Sequence, residues 1–95
     1  MKLKCFTVFD SGVKSYLQPF FMRHSGEAIR AVTELVNDDK HSFAKYANDY
    51  TLFEIGVFDD SDCKFALHNT PISLGVLIEF KRPKNGVIEV ATSVD

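Results

Sequence analysis

Residues 50–58, YTLFEIGVF, crowd Tyr50, Thr51, Phe53, Ile55, Val57 and Phe58 into one short run, a density of aromatic and β-branched side chains that favours an extended chain. Asp59-Asp60-Ser61-Asp62 follows at once and leads into a second apolar run at residues 63–67. The pair reads as a β-hairpin closed by a four-residue acidic loop, and a hairpin is stable only when further strands or a helix cover one of its faces.

The rest of the chain supplies that cover. Residues 2–9, KLKCFTVF, end at the turn cluster Asp10-Ser11-Gly12 and read as a first strand. Residues 13–22 hold the strand-like Tyr16, Leu17, Phe20 and Phe21, but Pro19 has no amide proton for a ladder, which points to an edge strand or an extended entry to the helix. Ser25 caps a helix from Gly26, in which Ala28, Ile29, Val32, Leu35 and Val36 make one apolar stripe that ends at Asn37-Asp38-Asp39. A short helical turn is expected in residues 41–48, with Phe43 and Tyr46 holding it down. Asn69-Thr70-Pro71 breaks the chain, residues 75–80 form another strand, and Lys84-Asn85-Gly86 signals a hairpin into the alternating residues 87–91.

These elements predict an α+β fold: a two-layer sandwich with a mostly antiparallel sheet of four to six strands and one main helix packed on one face. The whole chain, residues 1–95, is expected to be one domain, with a flexible tail from about residue 84. In a sequence of 95 residues without Trp, the nine Phe must supply much of the core, and Phe6, Phe53, Phe58, Phe65 and Phe80 are assigned to it. Phe20 and Phe21 are adjacent, so on a strand one of them must face away from that core.

Two distant cysteines outside any CxxC pair argue for a reducing compartment. No run approaches the ~20 apolar residues of a membrane span. Scattered glycines exclude a phosphate-cradling loop, and neither a metal-ligand spacing nor a nucleophile signature stands out, so no cofactor, no metal and no enzymatic activity are expected. The remaining chemistry is that of single-stranded nucleic acid, which is held by flat rings interleaved with cations. Lys2, Lys4, Lys14, Arg23, Lys81, Arg82 and Lys84 are the candidate backbone contacts, and Tyr16, Phe20 and Phe21 the candidate stacking or interface residues. A net charge of −2 requires those cations to be segregated from the acids.

The segments Gln18-Pro19-Phe20-Phe21, YTLFEIG at 50–56 with Phe58-Asp59-Asp60, and Ser73-Leu74-Gly75 with Ile78-Glu79-Phe80-Lys81-Arg82 resemble the small nonstructural protein of gokushoviruses, single-stranded DNA bacteriophages of the Microviridae. The resemblance runs from the first strand through Arg82. It implies a non-enzymatic DNA-binding protein of the host cytoplasm that favours the change to single-stranded genome synthesis and packaging. Single-stranded DNA is then the expected partner, with self-association as a homodimer. The other reading is a dimeric adaptor that recruits phage or host replication or capsid proteins through Phe20-Phe21 without touching DNA.

Overall fold

The computed structural model describes residues 1–83; the expected hairpin at 84–86, the strand at 87–91 and the candidate contact Lys84 lie outside the described residues. The chain order is β1 (Lys2–Asp10), β2 (Ser15–Tyr16), β3 (Phe20–Met22), α1 (Ser25–Val36), α2 (Ser42–Lys45), β4 (Tyr50–Asp59) and β5 (Lys64–Val76), with 3-10 turns at Ala47–Asp49 and Leu77–Phe80. All pairings are antiparallel: β1 lies beside β4, β4 beside β5, and β2 and β3 share the outer edge of β1. Pro19 falls in the gap between β2 and β3, where no ladder amide is missed.

The expected two-layer sandwich with one main helix on a sheet is not what forms. The fold is mostly antiparallel sheet curled into a half-barrel, with only small helices. The curl has a local cause at Ile55. On one side of β4, Cys5 pairs with Gly56 and Phe6 with Glu54, so Ile55 has no partner in β1. On the other, Glu54 pairs with Ile72 and Gly56 with Leu67, so residues 68–71 bulge out opposite Ile55. Bulges bend the strand and increase its twist, and here two irregularities meet at one residue. Gly56 lets the strands close up again beside the bend: a Cβ there would stand 2.6 Å from the Ala66 carbonyl oxygen and 2.9 Å from Leu67 Cα.

The two sheet edges therefore lean toward each other. β3 and β5 are separated by two intervening strands, about 14 Å in a flat sheet. Yet the rings of Phe21 and Phe65 stand with centroids 6.1 Å apart.

Core and helices occupy the opposite face, at one end of the sheet. Phe6, Val8, Tyr50 and Leu52 meet Ala28, Val32 and Val36 of α1, with Phe43, Ala47 and Leu77 closing the sides. The helix starts one residue earlier than the sequence reading: His24, not Ser25, is the N-cap and Ser25 is the first helical residue, with Glu27 Oε1 accepting from the amides of His24 (3.3 Å) and of Arg23 just before it (3.0 Å). Phe43 is buried, whereas Tyr46 is exposed and pins nothing.

Two further expectations fail. β5 runs unbroken through Pro71, because as the outer strand it loses no ladder bond to a missing amide proton. It ends at Val76, and residues 77–80 coil into a 3-10 turn that buries Leu77. Gly75, at φ 139°, supplies the left-handed backbone just before that change of direction.

Candidate functional site

Residues directly opposite in a ladder point to the same side, so the register assigns the rings to faces. Phe9 lies opposite Tyr16, Thr7 opposite Phe53, Cys5 opposite Phe21, Leu3 opposite Phe58, and Phe58 opposite Phe65. All of these stand on the face away from the helices. Phe53, Phe58 and Phe65 thus do not join the core to which composition assigned them: Phe53 and Phe58 are half-buried and Phe65 is 55% exposed. Phe6 is fully buried and Phe80 packs against the core from its margin. Phe20 turns inward and stacks on Phe6 at 5.6 Å, while Phe21 turns outward.

The outward rings form two groups. Phe9 touches Tyr16 (4.8 Å between centroids) and Tyr16 touches Phe53 (6.0 Å). Phe21, Phe58 and Phe65 close a triangle with centroid separations of 5.8, 6.1 and 4.8 Å. Between the groups lies an apolar depression of about 310 Å³, walled by Tyr16, Leu17, Pro19, Ile55 and Pro71 over Thr7. Thr7 is buried, and its hydroxyl donates to the Leu17 carbonyl at 2.7 Å, which ties the β2–β3 link to the sheet and leaves the depression few free polar groups. Tilted ring pairs of this kind are favourable in themselves, about 0.5–1.5 kcal/mol each beyond area burial. They hold the rings as a preformed surface.

The candidate cations do not gather into one strip. Lys2 lies opposite Asp59 on the helix side of the sheet and borders a hollow shared with Asp59, Asp62 and Lys64. Lys4 is ion-paired with Glu54 at 3.3 Å. Lys81 donates to the Ala44 carbonyl oxygen at 2.9 Å, and Arg82 stands beside Asn37 and Asp39 past the end of α1. Lys14 is exposed in the β1–β2 turn next to Ser15 and Tyr16, with φ 57°, and Arg23 is exposed directly after β3 and its Phe21. Those two immediately flank β2 and β3, which carry Tyr16 and Phe21, whereas Lys2 and Lys4 lie within β1, which carries Phe9, at positions of the opposite face.

Glu54 is buried, and burial works against its charge, yet hydrogen bonds from His68 and Lys4 outweigh that and hold its carboxyl below the usual carboxylate range. The Cys5 thiol, buried between Phe21 and Gly56 in the ladder, is pushed up by desolvation. Cys63 sits in the hairpin turn at φ 61°, exposed. Asp59 Oδ1 accepts from the Ser61 amide (3.0 Å) and hydroxyl (2.6 Å), so the acidic loop is organised by its own hydrogen bonds. Its carboxyl is held low by those same bonds.

Sequence reasoning found Tyr16 and Phe21 but missed Phe9, Phe53, Phe58 and Phe65. The signal was present: in YTLFEIGVF, Leu52 and Phe53 cannot share a face, and the helix stripe is long enough to cover only one. Among the described residues, no helix is long and apolar enough to cross a membrane.

No curated protein and no solved structure matches the chain. The family model described as Phage ORF5 protein matches residues 3–80, almost the entire length over which the strands, the rings and the helix are laid out, and the chain belongs to this phage protein family.

Proposed function

We propose that this chain is a non-enzymatic gokushovirus protein that binds single-stranded DNA through the ring-bearing face of its sheet, in the host cytoplasm, during the switch to single-stranded genome synthesis and packaging. The observation that carries the reading is the pair of ring groups flanking an apolar depression on a sheet face that, among the described residues, no helix covers. Bases offer flat faces of any sequence, and a rigid array of aromatic side chains holds them at roughly 1–3 kcal/mol per stacked base. A depression with few free donors or acceptors reads no base edge, so sequence preference is weak.

Charge sets a second expectation. Four phosphate contacts would give a salt slope near −3, but with Lys14 and Arg23 as the cations beside the rings the slope falls to about −1.4, at about −0.7 per contact on a single strand. Stacking then contributes most of the affinity. Fluorescence anisotropy of a labelled oligonucleotide, titrated at two salt concentrations, tests this directly. Phe65→Ala and Tyr16→Ala should each weaken binding about 5- to 100-fold. Absence of binding at low salt, or ring variants that bind like the parent, would overturn it.

The second reading, a dimeric adaptor, is favoured by the exposure of Tyr16, Phe21, Phe65 and Leu67. Contiguous apolar surface of this kind also marks protein contacts. Sedimentation separates the two: an adaptor self-associates without DNA and dissociates on Phe21→Ser. Phe20→Ser is no test of it, because Phe20 stacks on the core ring Phe6.

A further inference from the structure

The register of β1 fixes how far apart the two ring groups stand. Tyr16 lies opposite Phe9, and Phe21 lies opposite Cys5, four residues earlier on the same strand and on the same face. At roughly 3.4 Å per residue the two positions are about 14 Å apart along β1. Each group has a ring that is more than half exposed, Tyr16 in one and Phe65 in the other. Each of these is backed by a half-buried ring, Phe53 behind Tyr16 and Phe58 behind Phe65.

The ground between the groups is of another kind. Leu17, Pro19, Ile55 and Pro71 wall the depression with aliphatic surface, and the Thr7 hydroxyl beneath them is taken up by the Leu17 carbonyl. At about 310 Å³ the depression has room for a base but, away from Tyr16 at its rim, no flat face among the described residues for that base to stack on. The exposed cations repeat the division. Lys14 precedes Ser15 and Tyr16 at one end of the face, and Arg23 follows Met22, the partner of Lys4, at the other. Along the face the order is cation, rings, aliphatic gap, rings, cation.

We propose that this face is a two-platform site for a run of about five nucleotides, whose outer bases stack on the Tyr16 group and the Phe21–Phe65 group while the nucleotides between them cross the depression unstacked. The proposal rests on the reading of this face as a DNA-binding surface and specifies what that surface takes: a length of strand, not a lone base or a mononucleotide. Stacked nucleotides advance roughly 3.4 Å each, so about four steps separate bases held about 14 Å apart. Both platforms stand on one sheet, so a base held on the first raises the effective concentration of its strand at the second, provided the strand is long enough to span. A trinucleotide reaches one platform and a pentanucleotide reaches both.

Unlabelled oligothymidylates of two to eight nucleotides, competed at low salt against a labelled longer oligonucleotide and read by fluorescence anisotropy, test the two platforms. Affinity should change little up to three nucleotides, rise at least about tenfold between three and five, and then grow only with the number of binding registers. In a pentathymidylate, removing the three central bases should change affinity by less than about threefold, and removing the two terminal bases by at least about tenfold. Tyr16→Ala and Phe65→Ala, at exposed positions that leave the core intact, should each erase the step between three and five nucleotides. An even rise with length, or central gaps as damaging as terminal ones, would overturn the platforms and leave the DNA-binding reading standing. Absence of binding at every length, or a length step that survives in both variants, would overturn that reading and the platforms with it.

Discussion

The two faces of β4 are built from the same class of residue and behave differently. Tyr50 and Leu52 lie under α1 and the Leu77 turn and are closed to water. Phe53 and Phe58, on the other face, meet neighbouring rings and the side chains opposite them in the ladder and stay half-exposed. Apolar character therefore does not assign a side chain to the core; the supply of covering elements does. Among the described residues, the apolar stripe of α1, Ala28, Val32 and Val36, is spent on Phe6, Val8 and Leu52. The outward rings are left to shield one another, which preserves them as a surface.

The sharpest way to break the comparison is to truncate one ring on each side. Phe6→Ala removes a fully buried ring and should cost about 3–5 kcal/mol, enough to leave a domain of this size largely unfolded. Phe65→Ala, at 55% exposure, should cost under about 1 kcal/mol while weakening oligonucleotide binding as above. Urea denaturation of both variants checks the difference; similar losses would mean that the two faces share one cooperative core.

Gly56→Ala probes the bend where the faces diverge. The new methyl would meet backbone atoms of Ala66 and Leu67, which cannot swing aside as a side-chain end can, so β4 and β5 must separate. A loss of about 1–3 kcal/mol is expected by denaturation, with the Phe58–Phe65 contact disturbed in the same variant. An unchanged midpoint would show that the hairpin is looser than its geometry.

How much of this was legible in the sequence follows the same division. Local signals held where a single element decides: Ser25 to Val36 forms the helix, Asp59 and Lys64 bracket the acidic turn, and Pro19 marks an edge. What sequence could not give is set by pairing. Residues 75–76 finish β5, and Leu77 is then drawn into the core by a 3-10 turn, a change of direction that depends on where the strand ends against α1. The bulge opposite Ile55, which turns a flat layer into a half-barrel, exists only between strands. The pairing of Lys4 with Glu54 likewise exists only between strands, since residues 4 and 54 are neighbours only once β1 and β4 pair.

Glu54 gives a smaller, pH-dependent effect. Its carboxyl is held below its ordinary value in the folded protein, so its contribution is fully present above the unfolded carboxyl range of about pH 4.3 and is lost as pH falls through the lower folded value. Stability measured from pH 6 down to about pH 2 should decline, and Glu54→Gln should flatten part of that decline while lowering stability at neutral pH. A parallel decline in the variant would assign the acid sensitivity to other carboxylates.

The smallest expected effect discriminates most between the faces. Arg82 is exposed past the end of α1, and it is its backbone amide, not its guanidinium, that donates to Asn37 Oδ1 at 2.8 Å. Arg82→Ala should therefore change stability by less than about 0.5 kcal/mol. It should also leave oligonucleotide affinity within about twofold, since Arg82 lines a hollow with Asn37 and Asp39 that none of the outward rings borders. Lys14→Ala and Arg23→Ala, beside the ring face, should each reduce the salt slope by about 0.7. If Arg82→Ala lowers the slope and they do not, the nucleic acid runs along the helix end, and the outward rings serve a protein contact instead.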